Sequence, residues 1–317
     1  MRVLITGASG LLGVNLALEA AKSHEVSGQI NTLFLKGAPF EQLSGDLLAT
    51  NAVEELIETA RPDWVIHCAA LADIDACETD PILAERLNAD LPGRFAKACK
   101  DRAKLIYIST DAVFDGTKEE YFETDAPNPL SVYARTKLMG EHMVMENDPD
   151  AIVARINLFG WSLFGTRSLA EWFFYNLQAG KLVKGFTDVF ICTQLVNDLA
   201  GVLFQMLSQG LSGLYHVVGA DSVSKYDLAL EIARRSGIPG SMVTPVKVQE
   251  FGLRAARSNQ LRLNTGKLQK VLHTPIPRLS TGLDRFFELY QQGYPHLLRR
   301  MVDNSNKEIN PYRPGGE

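Results

Sequence analysis

Residues 105–141 read LIYISTDAVFDGTKEEYFETDAPNPLSVYARTKLMGE, and the fold of the whole chain turns on how this stretch is understood. Leu105 to Ile108 is a short apolar, β-rich run, and Ser109-Thr110-Asp111 is the polar punctuation at its end. Ser131 has the side chain to cap a helix that carries Tyr133 and Lys137. Residues four apart share one helix face. A phenol that titrates near ~10 is a poor acid-base group at neutral pH, but an ammonium one turn away favours the phenolate and lowers that value. Tyr133 could then pass a proton to a developing alkoxide, while Thr110 hydrogen-bonds the same oxygen. A Tyr and a Lys at this spacing also occur on plain solvated helix faces, so the set gains meaning from its surroundings.

Toward the N-terminus, Arg2 to Thr6 (RVLIT) reads as a buried strand, and Gly7-Ala-Ser-Gly10-Leu-Leu-Gly13 as the turn into a helix running to about Lys22. Gly7 allows the tight turn, Gly10 lets backbone N–H groups approach a pyrophosphate, and Gly13 lets the helix pack closely. Strand, glycine turn and apolar helix in this order point to dinucleotide binding; a glycine-rich turn of an unrelated α/β fold is the competing reading. The position that would hold a ribose 2′-OH falls within Val26–Asn31, which contains neither an acid nor an arginine, so NAD and NADP both stay open.

Further along, Asn51–Arg61 is an amphipathic helix and Trp64–His67 a strand ending in the small Cys68-Ala69-Ala70, which leave room for a ligand across the sheet. His67 sits inside the strand pattern as a buried, satisfied histidine. Asp73, Asp75 and Glu78 are too loosely spaced for an oxygen-ligand metal site, and Asp75-x-x-Glu78 ahead of Pro81 reads as helix-start chemistry; no metal is expected. Leu83, Leu87, Leu91, Phe95 and Cys99 form a core stripe, with Pro92 expected to kink or restart the helix. Ala151–Arg155 is a sixth strand. Alternating β and α units over about 155 residues give an α/β fold, a doubly wound parallel sheet of the Rossmann kind.

The 317 residues, 46% of them hydrophobic, suffice for a sizeable core. A net charge of −5 with no basic block argues against nucleic-acid binding. Four cysteines without a CxxC pair read as reduced thiols of a cytoplasmic protein. No apolar run approaches the ~18 residues of a membrane span, and no basic-then-apolar signal pattern opens the chain.

ISTDAVFDG, the acidic Glu123-Thr124-Asp125, Pro127-x-Pro129, YARTKLMGE and the GxxGxxG turn together resemble the extended short-chain dehydrogenase/reductases, in their dTDP-4-dehydrorhamnose reductase (sugar-nucleotide-binding) branch. The resemblance runs from residue 1 to about 290. It implies NADP or NAD as cofactor, held by Gly7, Ser9, Gly10, Leu11, Leu12 and Gly13 at the phosphates. Asp46 and Leu47 would meet the adenine, and Ala69, Ala70 and Leu71 the ribose and nicotinamide. Asn88 would support these strand ends, Ile156 would lie at the nicotinamide, and Lys137 would hold the ribose beside Tyr133. Thr110, Tyr133 and Lys137 are the implied catalytic set. Asp111, Val113, Phe114, Asn157 and Trp161 are the implied substrate contacts, with Arg257 first and Arg254 second for a diphosphate. The aromatic run Trp161–Tyr175 could also be plain core, or face a second copy of the chain in a homodimer.

By the same resemblance, 1–156 plus about 188–218 form the dinucleotide-binding domain, about 157–187 and 219–300 a smaller substrate lobe, and 301–317 a polar tail. The implied activity is NAD(P)-dependent reduction of a nucleotide-activated 4-keto-6-deoxysugar. Epimerases and dehydratases share the fold, and the regulatory β subunit of methionine adenosyltransferase is an alternative from another class, acting by binding a partner enzyme. Ile191, Cys192, Thr193 and Gln194 stand where the family usually carries Gly-Ser-Pro-Thr, a departure at the border of the sugar site.

Overall fold

The computed structural model describes residues 1–251 and 258–302. Its central sheet has seven strands, all parallel: β1 Arg2–Thr6, β2 Glu25–Ile30, β3 Glu41–Ser44, β4 Trp64–His67, β5 Lys104–Thr110, β6 Ile152–Ile156 and β7 Gly213–Val217. Their order across the sheet is β7-β6-β5-β4-β1-β2-β3. The chain starts in the middle, winds outward through β2 and β3, then returns to lay β4 on the other side of β1. That reversal is a topological switch point, where ligands bind beyond the strand ends in open α/β sheets.

Successive side chains of a strand face opposite ways, and β1 feeds both layers of the core. Val3 and Ile5 pack into the layer built with the helices Leu11–Ala20, Val196–Ser208 and Leu279–Gln291, whereas Leu4 joins Val65, Leu105, Tyr107 and Val153 under the opposite layer. The helices Ala52–Ala60 and Leu91–Cys99 close that second side.

Pro92 stands in the first turn of a new α-helical segment, the restart that the sequence predicts. The chain passes from Pro81–Glu85 through a π-helical turn, Arg86–Asp90, into Leu91–Cys99. Proline has no N–H to offer the carbonyl four residues back, and that carbonyl, on Asn88, instead accepts the Tyr107 hydroxyl at 2.9 Å. Gly140 makes the arrangement possible: a Cβ there would overlap both the Asn88 carbonyl and the Tyr107 hydroxyl.

Three small sheets of the described residues lie outside the main one, the smallest pairing Leu158–Phe159 with Gln194–Leu195 in parallel. Phe190–Ile191 pairs antiparallel with Val223–Ser224 and parallel with Gln260–Leu261, and Val183–Phe186 pairs with Val243–Val246. Among the described residues no helix is long and apolar enough to cross a membrane.

Candidate active site

At the switch point, Thr6 ends β1 with its hydroxyl oxygen accepting the N–H groups of Cys68 and Ala69, each at 3.1 Å. Gly7 follows at φ +63°, and a Cβ on it would meet the Ala69 backbone at 2.9 Å. The turn closes through the Gly10 N–H on the Gly7 carbonyl at 2.9 Å. A Cβ on Gly13 would overlap that same carbonyl. Gly10 caps the helix Leu11–Ala20 without a side-chain hydrogen bond, and its first turn has no acid. The helix therefore presents uncapped N–H groups and the positive end of its dipole, the arrangement a phosphate needs.

Where a ribose-binding acid could stand, Gln29 is buried. Its carbonyl oxygen takes the Gly7 N–H at 3.1 Å, and its amide nitrogen donates to the carbonyls of Ile30 and Gly45. This brace for the glycine turn was missed from the sequence, because a glutamine in a strand carries no motif of its own.

Along the sheet, a cavity of about 260 Å³ opens beside the end of β5. Thr110 and Asp111 form one wall, Tyr133 a second, Asn157 from the end of β6 a third, and Ile191 comes from the strand Phe190–Ile191 and Lys225 from the start of the helix Lys225–Arg235. Tyr133 is set by the start of its helix, Val132–Asn147. Ser131 accepts the Ala134 N–H at 3.2 Å, and Glu78 accepts the Val132 N–H at 2.8 Å. Glu78 thus caps this helix, while Asp73, rather than Asp75, caps its own at Ala76. The acidic group is helix-start chemistry shared between elements.

One turn on, Lys137 is buried, and its ammonium donates to the Ile108 carbonyl at 2.6 Å, 4.1 Å from the Tyr107 ring centroid. Burial pushes Lys137 down to about 7, opposed by the nearby Glu141 carboxylate. The phenol of Tyr133 does not follow the expectation of a lowered value. Burial pushes it up to about 12, with a Thr110 hydrogen bond pulling the other way. The ammonium points at a carbonyl, not at the phenol, so Tyr133 is a neutral proton donor at physiological pH.

Asp111 is buried against the same cavity. Its carboxylate accepts the Asn157 amide at 2.6 Å and the Thr110 hydroxyl at 3.2 Å, and burial raises it to about 6. An acid raised in the folded state adds stability below its unfolded pKa, and that contribution is lost as pH rises through about 6. Asp111→Asn should therefore raise the thermal midpoint relative to the parent chain more at pH ~8 than at pH ~4; an equal shift at both would refute the assignment.

Several residues implied by the resemblance lie elsewhere than the cavity. Trp161 is fully buried, stacked on Phe286 at 3.8 Å with its indole N–H on the Phe286 carbonyl, so it is core and not a substrate wall. Val113 and Phe114 are also buried, Phe114 stacking on Tyr121 at 4.2 Å. Asn88 is buried too, and its amide clamps the backbone N–H and carbonyl of Leu71 at 2.9 and 3.0 Å while donating to Thr136. It holds the strand-end loop and faces no groove. Leu47 is buried in the core, and exposed Asp46 accepts the Leu48 N–H at 2.9 Å as a turn residue. Ser9 and Leu11 stay partly open and Leu12 is buried at the glycine turn; Ala69 and Ala70 are half-buried at the end of β4, and Ile156 is buried at the end of β6. Arg254 and Arg257 lie outside the described residues. His67 hydrogen-bonds Thr6 through Nδ1 at 2.8 Å, and burial lowers it to about 3, which keeps it neutral. Its Nε2 has no partner among the described residues.

A doubly wound parallel sheet whose fifth strand ends at Thr110, beside a helix carrying Tyr133 and Lys137, defines a protein of the extended short-chain dehydrogenase/reductase type. The RmlD substrate binding domain family matches residues 1–292, and the chain belongs to that family. A probable low-salt glycan biosynthesis reductase of Haloferax volcanii is 32% identical over 292 residues, covering 89% of this chain and 96% of that protein. Methionine adenosyltransferase 2 subunit beta of Bos taurus is 36% identical over 263 residues, covering 77% and 75%. The structure of a dTDP-4-dehydrorhamnose reductase from Bacillus anthracis, solved with NADP, superimposes with a TM-score of 0.78 at 28% identity, covering 90% of this chain and 98% of that one.

Proposed function

We propose that this protein is an NAD(P)-dependent reductase of a nucleotide-activated 4-keto-6-deoxysugar. The observation that carries the reading is that Thr110 and Tyr133 wall one cavity, with Lys137 directly behind them. The uncapped N–H groups after the Gly7–Gly13 turn fit the pyrophosphate of a dinucleotide. The likeness to a reductase solved with NADP supports the same cofactor class. Residues 1–156 with about 188–218 would carry the dinucleotide, and about 157–187 with 219–300 the sugar nucleotide.

A bound nicotinamide cofactor supplies the hydride. Thr110 orients the carbonyl by hydrogen bonding its oxygen, and Tyr133 gives its proton to that oxygen as charge develops. Lys137, in its ammonium form, stabilises the phenolate left behind. Asp111 and Asn157, bonded to each other, present polar edges to the sugar. Gly13→Ala should raise the Kd for NADPH by more than about tenfold, since the new methyl displaces the Gly7 carbonyl from the turn. Unchanged affinity by fluorescence titration would count against phosphate binding at this turn.

Identity of 36% to a methionine adenosyltransferase subunit favours a second reading, a nucleotide-binding regulatory subunit. The two separate by assay. Purified protein is incubated with NADPH and NADH in turn and a panel of dTDP- and GDP-4-keto-6-deoxysugars. Cofactor oxidation supports the reductase; tight cofactor binding without turnover, with a methionine adenosyltransferase catalytic subunit co-eluting, supports the regulatory reading.

A further inference from the structure

Beneath the catalytic face lies a buried ionic cluster that the reaction as described above does not use. Glu141 and Arg155 are 4% and 2% exposed. Arg155 grips Glu141 with Nε at 2.9 Å and Nη2 at 2.7 Å, and the Ser109 hydroxyl donates to the same carboxylate at 2.5 Å. The guanidinium also lies 4.9 Å from the Phe114 ring centroid. Burying two charges in this way is costly, and an apolar pair of similar volume often serves stability as well or better.

The cluster's place in the fold gives it a different use. Tyr133, Lys137 and Glu141 follow at steps of four on one helix face. Opposite them on β5 stand three consecutive residues: Thr110 beside Tyr133 at the cavity wall, Ile108 bound by Lys137, and Ser109 bound by Glu141. Arg155 is the β6 residue in register with Ser109, two positions before Asn157, which holds Asp111. One carboxylate thus ties together the three elements that carry the proton donor, the hydroxyl that orients the carbonyl, and the polar wall.

We propose that Glu141, clamped by Arg155, is a positioning residue: it fixes β5 against the catalytic helix and supplies the counter-charge for the Lys137 ammonium. The inference rests on the reductase reading for its kinetic consequences, though not for its electrostatic one. The other titratable groups facing Lys137 are Cys68 and His67 at the end of β4, Cys77 on the helix Ile74–Thr79, Tyr107 on β5, and Tyr133 on its own helix. None of these side chains carries a negative charge at neutral pH, since burial raises both thiols and both phenols and keeps His67 neutral. Glu141 is the carboxylate among them.

The test uses Glu141→Gln, which keeps an acceptor for Ser109 but removes the charge, and the double variant Glu141→Leu/Arg155→Met, which replaces the pair by apolar volume. The Lys137 ammonium is followed directly by nitrogen-15 NMR titration, with Lys137→Met assigning the signal. Loss of the carboxylate should move its midpoint to lower pH in Glu141→Gln, and by less in the double variant, which removes the Arg155 cation as well. The alkaline limb of kcat should move the same way, and kcat should fall by about a hundredfold with KM little changed. Glu141→Asp should recover part of kcat. If folded Glu141→Gln keeps the parent midpoint and pH profile, or the folded double variant keeps the parent kcat, the pair is merely structural and the proposal fails. Should the parent chain turn over no keto-sugar while the midpoint still shifts, the reductase reading falls and the electrostatic role of Glu141 stands.

Discussion

Tyr133→Phe is expected to lower kcat for keto-sugar reduction by about 10²–10⁴-fold while leaving the Kd for NADPH within about twofold. The size of the loss follows from where the proton comes from. Reduction of a carbonyl creates an alkoxide, and Tyr133 stands at the cavity wall with Thr110, where a phenol can neutralise it. Its phenol is held at about 12 by burial, so it stays protonated through the physiological range and keeps a proton to give. Asp111 lies on the same wall but is raised only to about 6, and is chiefly ionised at neutral pH. It cannot replace the phenol there without a drop in pH. A residual rate in Tyr133→Phe that grows as pH falls toward about 6 would identify Asp111 as the fallback donor. Rapid-mixing measurement of NADPH oxidation, with cofactor binding read separately by fluorescence, distinguishes lost chemistry from lost binding. A variant retaining near-parent kcat would remove Tyr133 from the mechanism.

The parts of this molecule that sequence could reveal are those governed by local rules. A glycine turn between a strand and a helix, a serine cap at 131, and the strand Trp64–His67 each have a short-range physical reason, and each recurs in the structure as read. What the sequence hid depends on contacts between distant segments. Trp161 follows a strand end and precedes a glycine, the setting of a pocket residue, yet it is drawn into the core by Phe286, 125 positions away. The carbonyl that Pro92 leaves free finds its partner in the Tyr107 hydroxyl, on another element. Lys225 opens the helix Lys225–Arg235, and the pairing of Val223–Ser224 with Phe190–Ile191 brings it to the cavity. The direction of the Lys137 ammonium likewise could not come from i, i+4 spacing, because its acceptor is a carbonyl on another element.

Arg155→Met, the second large effect, should destabilise the protein by about 3–5 kcal/mol at neutral pH, read as a fall in the urea midpoint at unchanged m-value. Arg155 and Glu141 are both nearly inaccessible to solvent, so removing the guanidinium leaves the carboxylate with the Ser109 hydroxyl as its hydrogen-bond donor and only the more distant influence of Lys137 as charge compensation. Most of the expected loss is the cost of that orphaned charge, not the worth of the pair. The loss should therefore shrink under acidic conditions, where the stranded carboxylate can take up a proton. It should also be largely recovered in Glu141→Leu/Arg155→Met, because two apolar side chains leave neither member of the pair as an orphaned charge and cost only the Ser109 hydroxyl its acceptor. Non-additivity of this kind is the mark of direct coupling: the two single losses together should exceed that of the double variant by more than about 2 kcal/mol. Simple additivity would mean that the bidentate contact is not what holds β6 to the catalytic helix. A double variant that regains the parent's stability, while its turnover stays low, would show that the chain keeps this charged pair for the geometry and charge of its active site, since stability alone would be served by oil.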